Sequence, residues 1–412
     1  MPRRQVYIRS LVCAVAGAMA LVPAALANDD PGFAAFFDQA KPIFDVRYRY
    51  EGVEQAGLPA DANANTLRVR GGFQTGKAWG LQGLVEFEGI AHLTDDFNDT
   101  TNGKAAYPVV ADPEDLQLNR LQLQFTSIPD TSITAGRQRI NLDNQRFVGN
   151  VGWRQNEQTF DAVRVANTSI KGLTADYTYL WRVNRIFGEG SAQGEWHGPS
   201  HLLNVGYDIA GAGKLTGYGY WLEFDDAPAQ SSQTFGLRFT GRQDFDGWSL
   251  FYTGEFARQT DYANNPANFD LDYWALEGGV GAHGFKLLAG VETLEGDGTT
   301  GFATPLATLH KFQGTADAFL TTPVNGIVDA YGTLSYETKV DTGIGLTAVS
   351  AAVTYHDFET ERGSTSLGSE WDVEVTGRFG DRWTAGVKYA SLDGDGPIAD
   401  RDKIWVSVGF TY

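Results

Sequence analysis

The chain has 412 residues, with 51 acidic against 32 basic side chains, a formal charge of −19 and a single cysteine. So acidic a surface argues against nucleic acid as a partner. One cysteine rules out a disulfide framework, and no stretch after the N-terminal region approaches the ~18 consecutive apolar residues that mark a membrane helix.

Residues 1–27 read as a removable export signal. Arg3, Arg4 and Arg9 make a positive start, Leu11 to Leu21 an apolar stretch, and Ala25-Leu26-Ala27 a small-residue cleavage site. The apolar stretch is too short to span a bilayer as a helix. Cys13 lies inside it and apolar residues continue beyond, which argues against a lipid anchor and leaves the mature chain without cysteine. Losing three arginines leaves 29 basic against 51 acidic residues, a net −22. Residues 28–42 read as a short periplasmic lead-in, and 43–412 as one barrel domain.

From Ile43 onward, segments of alternating polar and apolar residues recur. Strands are expected near 43–52, 64–75, 79–92, 115–127, 131–142, 157–168, 173–186, 201–210, 213–224, 232–243, 247–258, 270–282, 285–295, 327–339, 344–358, 367–379, 382–393 and 402–412. Tight turns such as 76–78, 127–130, 169–172, 211–212, 244–246, 283–284, 341–343 and 380–381 alternate with long polar connections at 93–114, 187–200, 259–269 and 296–326. The expected fold is all-β: a transmembrane antiparallel β-barrel of 18 strands, with short periplasmic turns and long extracellular loops. A barrel of that size is wide enough for an aqueous channel.

A strand's period of two sorts its faces. Phe44, Val46, Tyr48 and Tyr50 should meet lipid, with Asp45, Arg47, Arg49 and Glu51 inside. Leu67 and Val69 oppose Arg68 and Arg70; Val85 and Phe87 oppose Glu86 and Glu88; Leu121, Leu123 and Phe125 oppose Arg120, Gln122 and Gln124. Trp371, Val373, Val375 and Phe379 likewise oppose Asp372, Glu374, Thr376 and Arg378. A basic side chain on the lipid face costs about 2–4 kcal/mol at mid-bilayer, so this sorting is forced. The chain ends on the aromatic Tyr412, which resembles the tag read by the outer-membrane assembly machinery. A soluble β-sandwich or β-helix would explain neither that ending nor the aromatic outer face.

Strands one to seven and their loops hold 12 of the 19 mature arginines. Neighbouring strands lie about 4.8 Å apart, so inward arginines can form a basic ladder on one wall. The expected solute pathway comprises Arg47, Arg49, Arg68, Arg70, Glu86, Glu88, Arg120, Arg137, Arg139, Arg146, Arg154, Arg164 and Arg182. Two readings stand. Glu51, Glu86, Glu88, Asp161 and Asp176 pair with these arginines and hold the wall, or the pairs also leave a field that selects anions.

The densest segment runs from Ala135-Gly136-Arg137-Gln138-Arg139 through Phe147 and Trp153-Arg154-Gln155-Asn156 to Asp161-Ala162-Val163. Its Gly-Arg-Gln-Arg strand, aromatic-bearing loop and following Asp-Ala strand resemble the alginate export family of outer-membrane proteins. Thr304 to Gly314 also looks like a segment found in such porins. The resemblance implies an electropositive lumen that conducts an acidic polysaccharide, with export or uptake left open.

The connection 296–326 is long enough to invite a function. Leu306, Leu309, Phe312, Ala316, Phe319 and Leu320 recur at helical spacing between Pro305 and Pro323, which predicts a short helix. It would either fold into the mouth as a gate or pack outside as a cap. The six histidines show no metal spacing, and no G-x-S-x-G is present. The Asp393 to Asp402 loop lacks the full calcium-loop pattern. No cofactor or metal is therefore expected. Acidic loop residues such as Asp95, Asp225 and Glu359 could meet lipopolysaccharide through divalent ions, or merely keep the surface soluble. The leading reading is a non-enzymatic channel for anionic, uronate-type saccharides or similar small anions. A low-selectivity porin and a barrel enzyme acting on lipid or envelope glycan are the alternatives.

Overall fold

The computed structural model describes residues 31–412, so the export-signal reading of residues 1–27 lies outside the described residues. A short helix, α1 (Pro31–Asp38), leads into eighteen strands. They are β1 (Lys41–Gln55), β2 (Ala62–Gln74), β3 (Leu81–His92), β4 (Asp115–Phe125), β5 (Thr131–Gln138), β6 (Thr159–Asn167), β7 (Leu173–Asn184), β8 (Glu195–Ile209) and β9 (Gly213–Leu222). There follow β10 (Ser232–Phe245), β11 (Trp248–Asp261), β12 (Asp270–Ala282), β13 (Phe285–Leu294), β14 (Ile327–Lys339), β15 (Leu346–Glu359), β16 (Ser366–Phe379), β17 (Trp383–Gly394) and β18 (Arg401–Thr411).

Each strand pairs antiparallel with its sequence neighbours, and β1 also pairs with β18, so the sheet closes into a barrel. Closure leaves no free edge, which is the condition for a sheet to exist in hydrocarbon. At the seam Asp45 lies opposite Thr411 and Gln55 opposite Arg401. The Tyr412 amide extends the seam by donating to the Phe44 carbonyl at 2.8 Å. No described helix is long and apolar enough to cross a membrane. The strands do that work.

The alternation is realised as read. Leu121, Leu237, Phe256, Leu287, Leu334 and Trp371 stand exposed on the outer face. Their inward neighbours include buried Arg49, Arg68, Arg70, Glu86, Glu88 and Asp372. Such a belt would drive aggregation in water and is matched only by lipid. The chain is an integral membrane β-barrel of the outer-membrane type.

Several boundaries differ from the pattern, among them the ends of β1 (Gln55 rather than 52) and β11 (Asp261 rather than 258). β5 stops at Gln138 rather than 142, because the chain leaves the wall there and buries Ile140 and Leu142 inside the barrel instead of against lipid. β8 starts at Glu195 rather than 201. Gly198, at φ 151°, and Pro199 make an irregular pairing with β7 rather than a break. The β14–β15 turn spans 340–345 and is longer than the expected 341–343.

The expected helix in 296–326 is absent. Only Leu309–Lys311 forms a single 3-10 turn. Gln313, Gly314 and Asp317 have φ of 50°, 77° and 61°, left-handed conformations that no α-helix accommodates. Gly314 adopts this conformation without strain, and a Cβ there would displace the Glu370 carboxylate. The segment turns inward and packs with residues 139–158. Ile140, Phe147 and Val148 share one buried cluster with Phe302, Leu306 and Ala316. The core of this protein is thus a plug inside its own barrel. At the opposite end, the Phe36 carbonyl of α1 accepts the Gly76 amide at 2.9 Å, tethering the helix to the β2–β3 turn.

Candidate channel lining and constriction

Cross-strand register sets Arg47 directly opposite Arg68 on β1 and β2. Like charges in that position repel, so the pair survives only with strong acceptors close by. Those acceptors come largely from the inward loops. Arg47 donates to Gln155 Oε1 at 2.9 Å and to the Gly152 carbonyl at 3.1 Å. Arg49 donates to the Trp153 carbonyl at 2.6 Å and pairs with Asp112. Arg68 pairs with Asp45, and Arg70 with Glu88 and, at 3.6 Å, Glu157. Burial alone would raise the Glu157 carboxyl, but Arg70 and Arg139 outweigh it and bring it down to about 2. Arg49, Arg68, Arg70, Glu86 and Glu88 are buried, so this part of the ladder is the seat of the plug.

The row on β4 to β7 is different. Arg120 forks onto Glu86 at 2.9 and 2.6 Å, and Arg137 onto Asp161 at 2.8 and 3.2 Å. Arg139, just past β5, holds Glu157 at 2.5 Å and Glu86 at 3.4 Å. Arg164 holds Asp176 at 2.6 Å and Arg182 holds Glu195. The side chains of Arg139, Arg164 and Arg182 remain 30, 28 and 24% exposed. A guanidinium carries five N–H donors. At Arg120, Arg139 and Arg164 the bonds to carboxylates use Nε and Nη2, at Arg182 Nη2 alone, and no described residue accepts from Nη1. Arg182 lies near the long-loop end of β7 and Arg164 near the short-turn end of β6, so these groups descend the wall.

The two inward loops interlock. Val148 pairs with Leu306 in a parallel bridge, and Gly149 donates to the Leu306 carbonyl at 2.9 Å. Phe147 sits in a cup of Tyr218, Tyr220, Tyr273 and Phe302, with ring centroids 5.1 to 6.2 Å away. Arg146 reaches Glu292 on β13 at 2.9 Å and lies 4.6 Å over the Phe312 ring. Phe319 packs on Phe358 at 4.7 Å, while Pro305 and Leu309 line a cavity on the loop side.

Asp317 is the hub. It accepts from His310 at 2.6 Å, Lys403 at 2.7 Å and Arg154 at 3.1 Å. Arg154 also reaches Glu51 at 3.1 Å, and Arg401 donates to the Ala316 and Asp317 carbonyls at 2.8 and 3.0 Å. His310 stacks on Trp153 at 4.2 Å. Burial, seconded by Lys388 and Lys403, pushes His310 down to about 4. Its Nδ1–H then donates to Asp317 as a neutral ring. Burial would raise Asp317, yet His310, Lys403 and Arg154 hold it well below the usual carboxylate range.

Of the thirteen residues expected along the pathway, Arg146 and Arg154 thus sit at the junction of the loops, and the others stand on or beside the β1–β7 wall. Asp112, Phe147 and Asp317 had no signal in the strand pattern; only the length of their loops pointed that way. Lys403 occupies an inward position of β18. Beside the plug lies a cavity of about 230 Å³ lined by Glu277, Asp329, Glu374 and Lys388. Above it, among the long loops, lies one of about 510 Å³.

No protein-family model and no curated protein matches the chain. Solved structures do. OccAB4 of Acinetobacter baumannii superposes with a TM-score of 0.71 at 12% identity, covering 90% of this chain and 98% of that one. Pseudomonas aeruginosa OpdK, solved with vanillate, gives 0.68 at 14% identity, covering 92% and 99%. OccK2 (OpdF) of the same organism, solved in complex with glucuronate, gives 0.63 at 14% identity with the same coverage. At these identities the likeness is one of fold: the eighteen-stranded barrel of outer-membrane porins. These neighbours are porins rather than enzymes, and none of the three carries the alginate-export assignment.

Proposed function

We propose that the protein is an outer-membrane channel of a Gram-negative cell that passes small anionic solutes, uronate-type saccharides among them. The long loops face outward toward lipopolysaccharide, and Tyr412 serves as the assembly tag. The observation that carries this reading is the row of part-exposed guanidinium groups at Arg120, Arg139, Arg164 and Arg182. Each is anchored by a wall carboxylate and keeps a donor unused. An anchored arginine does not follow the solute, so it holds a carboxylate briefly and releases it. The glucuronate and vanillate in two similar barrels support the same solute class.

One observation favours a second reading, a less selective porin. Ten of the eleven expected pathway arginines have a carboxylate partner, and Arg47 has carbonyl and amide partners. Reversal potentials in a KCl gradient decide. The leading reading expects anion selectivity in planar bilayers, block by oligouronate, and loss of that selectivity in Arg139→Gln and Arg164→Gln. Cation selectivity without block would sink it, and a potential near zero would favour the second.

A further inference from the structure

The cavity of about 510 Å³ among the long loops has a lining unlike the rest of this acidic chain. Among the described residues no carboxylate lines it, while Arg146 and Arg185 both do. Its volume falls in the range of about 300–1,000 Å³ usual for small-molecule sites.

Arg185 follows β7 and is held in an unusual way. Its guanidinium lies 3.7 Å from the Trp196 ring centroid and 4.7 Å from that of Phe187. Only Nη1 is used, donating to the Gln193 carbonyl at 3.1 Å and its side-chain Oε1 at 3.3 Å. No described carboxylate pairs with it. Burial accordingly depresses its pKa to about 10, with no acid raising it, and it stays charged at neutral pH. With the guanidinium against two rings and Nη1 tied to Gln193, the Nε and Nη2 donors are left for a ligand. That edge is the fork that matches a carboxylate with two parallel hydrogen bonds. Arg146, fully buried on the plug side, has an Nη1 that no group accepts from. The remaining polar lining is neutral: Gln193, Gln230, Thr299 and Thr300 bring amides and hydroxyls.

We propose that this cavity is an outer staging site for one sugar acid, with Arg185 forking its carboxylate and the neutral amides and hydroxyls meeting its ring hydroxyls. The assignment rests on the channel reading for its purpose, but its chemistry is independent of ion selectivity. A fixed cation in an acid-free pocket raises the local concentration of anions above that of bulk. Discrimination comes from the body of the solute. Neutral hydrogen-bonding groups reward a polyol and leave a purely apolar carboxylate with unmatched donors.

The test is equilibrium binding of glucuronate to the full-length folded protein in detergent, by calorimetry, for wild type, Arg185→Gln and Arg185→Lys. Heat-modifiable migration on gels reports that each barrel is folded. Both variants should weaken binding by at least about tenfold, since lysine keeps the charge but loses the fork. Affinity within about twofold of wild type in either folded variant overturns the site. Should the variants not fold, phenylglyoxal modification of wild-type Arg185 read by mass spectrometry decides. Protection by glucuronate supports the site and absence of protection overturns it. A wild-type barrel that binds no glucuronate overturns the staging site alone, because the channel reading is judged separately by the reversal potential.

Discussion

At the scale of single residues, Asp317 and His310 set how the plug responds to acid. His310 is held near 4, below its ordinary 6.5, so its contribution to plug docking is complete above about 6.5. It declines as pH falls from there toward 4, because the free loop takes up a proton that the docked ring refuses. Asp317 is also depressed, and its share is present above about 3.8 and lost only below that. The first step of acidification is therefore the histidine's. We expect the protection factors of amides in residues 304–320, relative to intrinsic exchange at each pH, to fall between pH 6.5 and 4.5 while those of β12 to β16 hold. Asp317→Asn removes the negative charge shared by His310, Lys403 and Arg154 and leaves Glu51 alone to face both buried cations. The docked loop should lose about 3–5 kcal/mol, read as faster exchange at pH 7. Unchanged exchange in both experiments would remove Asp317 as the hub.

At the scale of elements, the two loops behave as one body because their hydrogen bonds are mutual. Gly149 and Gln158 donate to Leu306, while Thr308 donates back to Gln145 at 3.1 Å. Phe147 anchors this body to the β9–β12 wall. Phe147→Ala should cost about 3–5 kcal/mol of loop docking. Hydrogen exchange should rise together in 139–158 and 304–310; a rise confined to 139–158 would make the loops independent. This coupling also explains what the chain left illegible. Asp45 to Glu51 announce their faces because the lipid penalty acts locally, residue by residue. Ile140 and Leu142 alternate like a strand, yet their apolar partners lie inside the barrel, so period alone assigned them to the wall. Arg154 was legible as a lumenal cation, but its partner Asp317 lies 163 residues away and carries no periodic signal. The helical spacing of Leu306, Leu309 and Phe312 was real; the left-handed residues Gln313, Gly314 and Asp317 prevailed over it.

At the scale of the whole molecule, the barrel is inside-out: polar groups and the larger of two buried apolar clusters lie within, and an apolar belt faces out. Adjacent positions at mid-β14 test this directly. Leu334 is 51% exposed and stands between Leu287 and Val353 on the outer face. Thr333 points inward, its hydroxyl 3.0 Å from that of Thr354, and lines the acid-rich inner cavity near Glu277 and Glu374. Leu334→Lys places an ammonium in the hydrocarbon and should lower unfolding free energy in lipid vesicles by about 2–4 kcal/mol. Thr333→Lys places the same charge one residue away, beside water and carboxylates, and should cost less than about 1 kcal/mol. Transfer to detergent should shrink the difference, since a micelle deforms around a charge more readily than a bilayer does. Equal effects at the two positions would contradict the face assignment from which every inward arginine, and hence the channel wall itself, is derived.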